Sequence, residues 1–172
     1  MRTTAVCLAL GLVVALAAGG ARAELGKCVV VTDFDGVIKI GESEYSNDIK
    51  TILPLIKEAN VSYGLATASC ETEWIKGYLN EVIDNTTYTE EFLESTAAQF
   101  CVHEKHWQTD KIVEYFDGDK FCTIVFDDSI GNRVGIVESG YKYHHVDATI
   151  GITMQDWQDG LTALQTDPPC YC

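Results

Sequence analysis

An α/β chain with a central parallel sheet between helical layers, a three-layer sandwich, is the fold this sequence predicts. Two buried β-branched or aromatic runs, Cys28–Thr32 and Phe121–Phe126, read as strands covered on both faces. Segments of helical period alternate with such runs along the chain, which argues for right-handed βαβ units. Polar residues end three of the strands: Asp33 and Asp35, Thr67, and Asp127 and Asp128. In open parallel sheets that edge is where ligands bind.

The chain opens on a leader. Arg2 is followed by the apolar run Ala5–Ala18 and then by Ala21-Arg22-Ala23, small residues at the two positions a signal peptidase reads. The run is shorter than the roughly 20 apolar residues that span a bilayer. Residues 1–23 are therefore read as a signal peptide with cleavage after Ala23, and 24–172 as one domain bound for a secreted, lumenal or periplasmic destination. Past the leader, Cys28–Thr32 is the first strand and Ser46–Asn60 a helix, capped by Ser46 and interrupted at Pro54. Val61–Ala66 is the second strand and Thr72–Ile83 the second helix. Glu90–Ala97 reads as a short helix and Gln99–His103 as a third strand. Thr109 or Asp110 caps a helix ending at Phe116, and Phe121–Phe126 is the next strand. Ser129–Ser139 is helical, Tyr143–Val146 the last strand and Met154–Gln165 the closing helix.

Charge and cysteine usage narrow the function. The 172 residues hold 12 Lys and Arg against 26 Asp and Glu, a net charge of −14. Nucleic acids and anionic membranes are bound through Lys and Arg, so neither is an expected partner. Of 7 cysteines, Cys7 lies in the leader. The remaining six, Cys28, Cys70, Cys101, Cys122, Cys170 and Cys172, suit disulfides in an oxidising compartment, with the pairing open. Cys170-Tyr171-Cys172 is expected to staple the tail. Asn60-Val61-Ser62 and Asn85-Thr86-Thr87 are glycosylation sequons.

Four carboxylates gathered at one sheet edge repel unless a cation sits among them. Oxygen-only ligands favour a hard ion such as Mg²⁺, which in turn pairs with phosphates. Thr67 offers a hydroxyl and a backbone N–H to such a phosphate. Lys111, near the start of a helix, offers fixed positive charge, with Lys105 the fallback. The remaining candidates are weaker. His103 and His106 read as surface or packing residues, and His144 and His145 point to opposite faces of a strand. Trp74, Trp107 and Trp157 read as core or rim aromatics, and Glu90, Glu91 and Glu94 as a solvated helix face.

The run Val29-Val30-Val31-Thr32-Asp33-Phe34-Asp35-Gly36-Val37 resembles motif I of the haloacid dehalogenase-like (HAD) superfamily. Thr67 after Gly64-Leu65-Ala66 resembles motif II, and Lys111 fits motif III. Asp127-Asp128-Ser129-Ile130-Gly131-Asn132 resembles the DDxxxN form of motif IV. With Gly151 and Gly160-Leu161, that form is similar to the magnesium-dependent phosphatase branch.

The resemblance implies a secreted Mg²⁺-dependent phosphomonoester hydrolase. In it Asp33 is nucleophile and metal ligand, and Asp35 is general acid and base whose backbone carbonyl also meets the metal. Asp128 and Asp127 complete the metal site. Thr67, Ala68 and Lys111 bind the phosphoryl group, and Asn132 orients the acidic loop. Only a short flap fits between Gly36 and Ser46, so the cap is minimal. An open site implies a phosphorylated small molecule or a protruding phosphorylated group as partner. The alternative function is a non-catalytic extracellular module that binds a cation or a phospho-ligand.

Overall fold

Five parallel strands in the order β5-β4-β1-β6-β7 form the centre of the molecule, a computed structural model that describes residues 28–42, 44–59, 61–166 and 170. These strands are β1 (Val29–Thr32), β4 (Ser62–Ala66), β5 (Ala98–Gln99), β6 (Thr123–Asp127) and β7 (Lys142–His145). The signal peptide expected at 1–23, Asn60, Tyr171 and Cys172 lie outside the described residues. No helix among the described residues is long and apolar enough to cross a membrane.

Side-chain alternation along the strands divides the core into two layers. Val30, Leu65, Ile124 and Phe126 pack with α1 (Ile49–Glu58), α2 (Thr72–Tyr78), α3 (Glu90–Glu94) and α6 (Met154–Gln165). Val29, Val31, Ala66 and Val125 pack instead with Ile112 and Val113 of α4 (Lys105–Phe116) and Ile136 of α5 (Arg133–Glu138). The three-layer α/β sandwich read from the sequence is the observed fold.

β1 pairs on one side with β4 and on the other with β6, with Thr32 opposite both Leu65 and Phe126. The chain thus reverses its direction of travel across the sheet at β1. Such a switch point opens a crevice at the carboxyl ends of the flanking strands.

Gly64 of β4 lets α4 approach the sheet, since a Cβ there lies 2.4 Å from Ile112 Cγ2 and 3.2 Å from the Ala97 carbonyl oxygen. Gly64→Val is expected to cost about 1–3 kcal/mol through overpacking. Chemical denaturation reads that loss, and an unchanged midpoint rules out the tight contact.

Several boundaries differ from expectation. The third strand is only Ala98–Gln99, because Cys101 adopts a left-handed backbone (φ 60°) that ends extended pairing. Ser46 does not cap α1; its hydroxyl donates to the Ile152 carbonyl instead, and Asp48 stands at the helix start. Pro54 is accommodated inside a continuous α1. The second helix passes into a π turn at Leu79–Ile83, and the one after β6 begins as a 3₁₀ turn at Ile130–Asn132. The flap is a two-stranded hairpin, β2 (Lys39–Ile40) and β3 (Glu44–Tyr45).

The most consequential shift is in α4. It starts at Lys105, one turn before the predicted cap. Thr109 lies inside the helix, buried, and its hydroxyl donates to the Lys105 carbonyl at 2.9 Å.

Two disulfides join Cys70 to Cys101 and Cys122 to Cys170, and Cys28 is disulfide-bonded as well. The second ties the C-terminal tail to the start of β6, as expected of the tail cysteines.

Candidate functional site

Alternation along β1 and β6 also positions the chemistry. Asp33 follows Val29 and Val31 on the face covered by α4, and Asp127 follows Val125 on that same face. The N-terminus of α4 reaches this sheet edge, so its first residue meets both carboxylates. Lys105 Nζ lies 2.9 Å from Asp33 Oδ2 and 3.3 Å from Asp127 Oδ2, and it donates to the Ala66 carbonyl at 2.6 Å. Lys105 is 2% exposed, so its charge is held in place rather than solvated.

Lys111 is therefore not the lysine of this site. It lies six residues further along α4, about 9 Å down the axis and turned to another side. It is exposed there. Lys105, the sequence fallback, takes the place.

Asp127 is fully buried and held from three directions. Its Oδ1 accepts from the Ser129 N–H at 2.8 Å, and both its oxygens accept from Asn132 Nδ2, at 3.0 and 3.1 Å. Asn132 thus orients the acidic loop as expected. Tyr143 braces the same loop from β7, its hydroxyl near the Asp127 and Ser129 carbonyls at 3.2 and 3.1 Å. Sequence reasoning missed Tyr143 because it reads as an ordinary strand aromatic.

Asp33, Asp127 and Asp128 each offer a carboxylate oxygen within 4.8 Å of the others. Asp128 makes no salt bridge among the described residues. Burial, then the charge of Asp127, pushes its carboxyl above the usual range. Asp33 is likewise pushed up, to about 6, chiefly by burial; the nearby Lys105 ammonium opposes that shift. Three carboxylates against one ammonium leave two negative charges formally unbalanced. An all-oxygen donor set with that deficit fits a divalent hard cation.

Gly36 permits the cluster. Its φ of 72° is left-handed, and a Cβ there falls 2.5 Å from Asp128 Cγ. The backbone that carries Asp35 and Gly36 is thereby brought against the Asp128 carboxylate.

The Asp35 side chain is not part of the acidic cluster. Period-two alternation puts Asp33 and Asp35 on one face, but β1 ends at Thr32 and the chain turns. The Phe34 carbonyl accepts from Ile38 and Lys39, and Asp35 instead pairs with Lys39 at 3.2 Å, its side chain 56% exposed. Asp35 thus stands at the mouth of the crevice.

Thr67 is buried at the end of β4, where its N–H donates to the Gln99 carbonyl at 2.9 Å. Its hydroxyl oxygen accepts from the Ser69 N–H at 3.2 Å, shaping the Thr67-Ala68-Ser69 loop. Gln108 of α4 donates to the Thr67 carbonyl at 2.8 Å and the Gln99 carbonyl at 3.1 Å, locking this strand end to α4. The Cys70–Cys101 disulfide holds the far side of the loop, and Cys101 donates to the Ser69 carbonyl at 3.1 Å.

The histidines stay outside the cluster. His144 meets Asp156 at 2.8 Å on one side of β7, while His145 lies 3.3 Å from the Tyr143 hydroxyl. Trp157 is core, whereas Trp74 and Trp107 are exposed.

A solved structure of an uncharacterized protein from Corynebacterium glutamicum superposes with a TM-score of 0.53 at 14% identity. The match covers 81% of this chain and 93% of that one, and at this identity it shows the fold alone. No protein-family model and no curated protein matches the chain.

Proposed function

We propose that this chain is a secreted, Mg²⁺-dependent phosphomonoester hydrolase that works through an aspartyl-phosphate on Asp33, as its resemblance to HAD phosphatases implies. The observation that carries the reading is the meeting of Asp33, Asp127 and Asp128 at the switch point, with the buried ammonium of Lys105 against the first two. Asp33, Asp127, Asp128 and the backbone carbonyl of Asp35 would hold the ion. An ion held there would offset the charge of an incoming phosphate and of the carboxylates around it.

The chain's own residues carry the rest. Asp33 attacks phosphorus through a carboxylate oxygen, forming a P–O bond as the bond to the leaving oxygen breaks. Asp35 leaves Lys39, takes a proton from solvent and passes it to that oxygen. A water then attacks phosphorus, Asp35 takes the water's proton, and the acyl-phosphate P–O bond breaks to release inorganic phosphate and restore Asp33. Thr67 and the Ala68 N–H bind phosphoryl oxygens, and Lys105 stabilises charge on the acyl-phosphate. The hairpin flap leaves the site open to phosphorylated small molecules and to protruding phosphorylated groups.

Turnover of p-nitrophenyl phosphate and a panel of phosphoesters, with and without EDTA, tests the reading. Activity lost in EDTA and restored by Mg²⁺ is expected. No turnover across the panel favours a non-catalytic binding module, and turnover that survives EDTA overturns the metal site.

A further inference from the structure

An open site leaves the choice of leaving group to the surface around it, and one exposed aromatic packs against the turn that carries Asp33 and Asp35. Trp74, the third residue of α2, is 46% exposed. A lone exposed aromatic is unremarkable in itself, but this one is fixed in place. It stacks on Tyr78 at 5.2 Å between ring centroids with planes 24° apart, and it meets the edge of Phe34 at 6.0 Å. Phe34 lies between Asp33 and Asp35, so the indole is anchored to the turn that carries both carboxylates. Lys39, the ion-pair partner of Asp35, has its Nζ 5.7 Å from the indole centroid. The indole therefore stands within one side chain of the group assigned to protonate the leaving oxygen.

Space for a ligand adjoins it. An open surface depression of about 430 Å³ is lined by Cys70, Glu71, Thr72, Glu73 and Trp74, the residues directly after the Thr67-Ala68-Ser69 loop. A phosphoryl group held by that loop would have this depression next to it in the chain. Cys70, tied to Cys101 by a disulfide, and Trp74 both line it. Glu71 and Glu73 disfavour an anionic occupant, while a rigid indole favours a flat one with little loss of conformational freedom.

Resting on the phosphatase reading above, we infer that Trp74 is a specificity-determining residue and that the preferred substrates are phosphomonoesters whose leaving group carries a neutral aromatic ring. A tyrosyl or other phenolic ring and a nucleobase share that chemistry. Phosphotyrosine and adenosine 5′-monophosphate therefore serve as separate arms of the test, with glycerol 2-phosphate as the aliphatic reference.

The mature chain with Mg²⁺ should show a higher kcat/KM for one or both aromatic esters than for glycerol 2-phosphate. Trp74→Ala should cut that aromatic-to-aliphatic ratio by about tenfold, chiefly through KM, as loss of one aromatic stacking contact does. Trp74→Phe, which keeps a ring, should restore most of the ratio and guards against a folding defect. The phosphotyrosine and nucleotide arms then say which ring the depression takes. A ratio unchanged in Trp74→Ala, or equally lowered in Trp74→Phe, overturns the inference while leaving the phosphatase reading intact. Wild-type protein inert towards all three esters overturns the inference, and inert towards p-nitrophenyl phosphate and the wider panel as well it overturns both.

Discussion

Asp33→Asn is expected to lower turnover of phosphomonoesters by about 10⁴-fold or more, since it removes the carboxylate proposed to form the acyl-phosphate. The fold should survive, because the Asp33 backbone N–H still donates to the Phe126 carbonyl at 2.9 Å and Lys105 keeps Asp127. Metal-free protein gives the same substitution a second, opposite signature. Burial holds the Asp33 carboxyl at about 6 against an ordinary value of 3.8. Its contribution to stability is fully present below pH 3.8 and is lost as pH rises through about 6. A shift of that size corresponds to about 3 kcal/mol. Asp33→Asn should therefore stabilise the metal-free chain at pH 7 relative to wild type, with the gain vanishing towards pH 4. Thermal unfolding in EDTA at several pH values reads this. A variant with wild-type turnover removes Asp33 from the mechanism, and one destabilised at pH 7 shows that its carboxylate is not under electrostatic strain.

Lys105→Met carries the second large effect. Its ammonium pairs with two carboxylates and satisfies the Ala66 carbonyl from a site 2% exposed. Removing one member of a buried ionic network costs about 3–5 kcal/mol, because the partners stay buried without compensation. Turnover should fall as well, since the acyl-phosphate loses its fixed counter-charge. Lys111→Met, on the same helix but exposed, should change stability by no more than about 0.5 kcal/mol and leave turnover intact. Equal losses in the two variants, by denaturant midpoint and by kcat, contradict the placement of Lys105.

Much of the site can be read from local pattern. A buried run ending in Asp33-Phe34-Asp35-Gly36 and another ending in Asp127-Asp128 place carboxylates at strand ends, and alternation selects Asp33 and Asp127 as residues of one face. The choice between Lys105 and Lys111 is different. It turns on where α4 begins, and Thr109 and Asp110 offer a cap signal as good as any in that stretch. Packing overrides the signal: with the helix extended one turn, Ile112 still fills the space over Gly64 while Lys105 reaches the two buried carboxylates. The pairing of Asp35 with Lys39 is equally invisible locally, because it depends on β1 stopping at Thr32 and on the hairpin that follows.

What the sequence alone determined is the class of fold, the strand ends that carry acid and the count of cysteines free to pair. Period and burial are properties of neighbouring residues, so they survive without knowledge of distant chain. Tertiary structure alone decided which lysine closes the acidic cluster, that Cys70 joins Cys101 and Cys122 joins Cys170, and that Trp74 packs against Phe34. Each is a meeting between segments far apart in the chain. Such meetings follow from strand order and helix length, which the whole core settles at once.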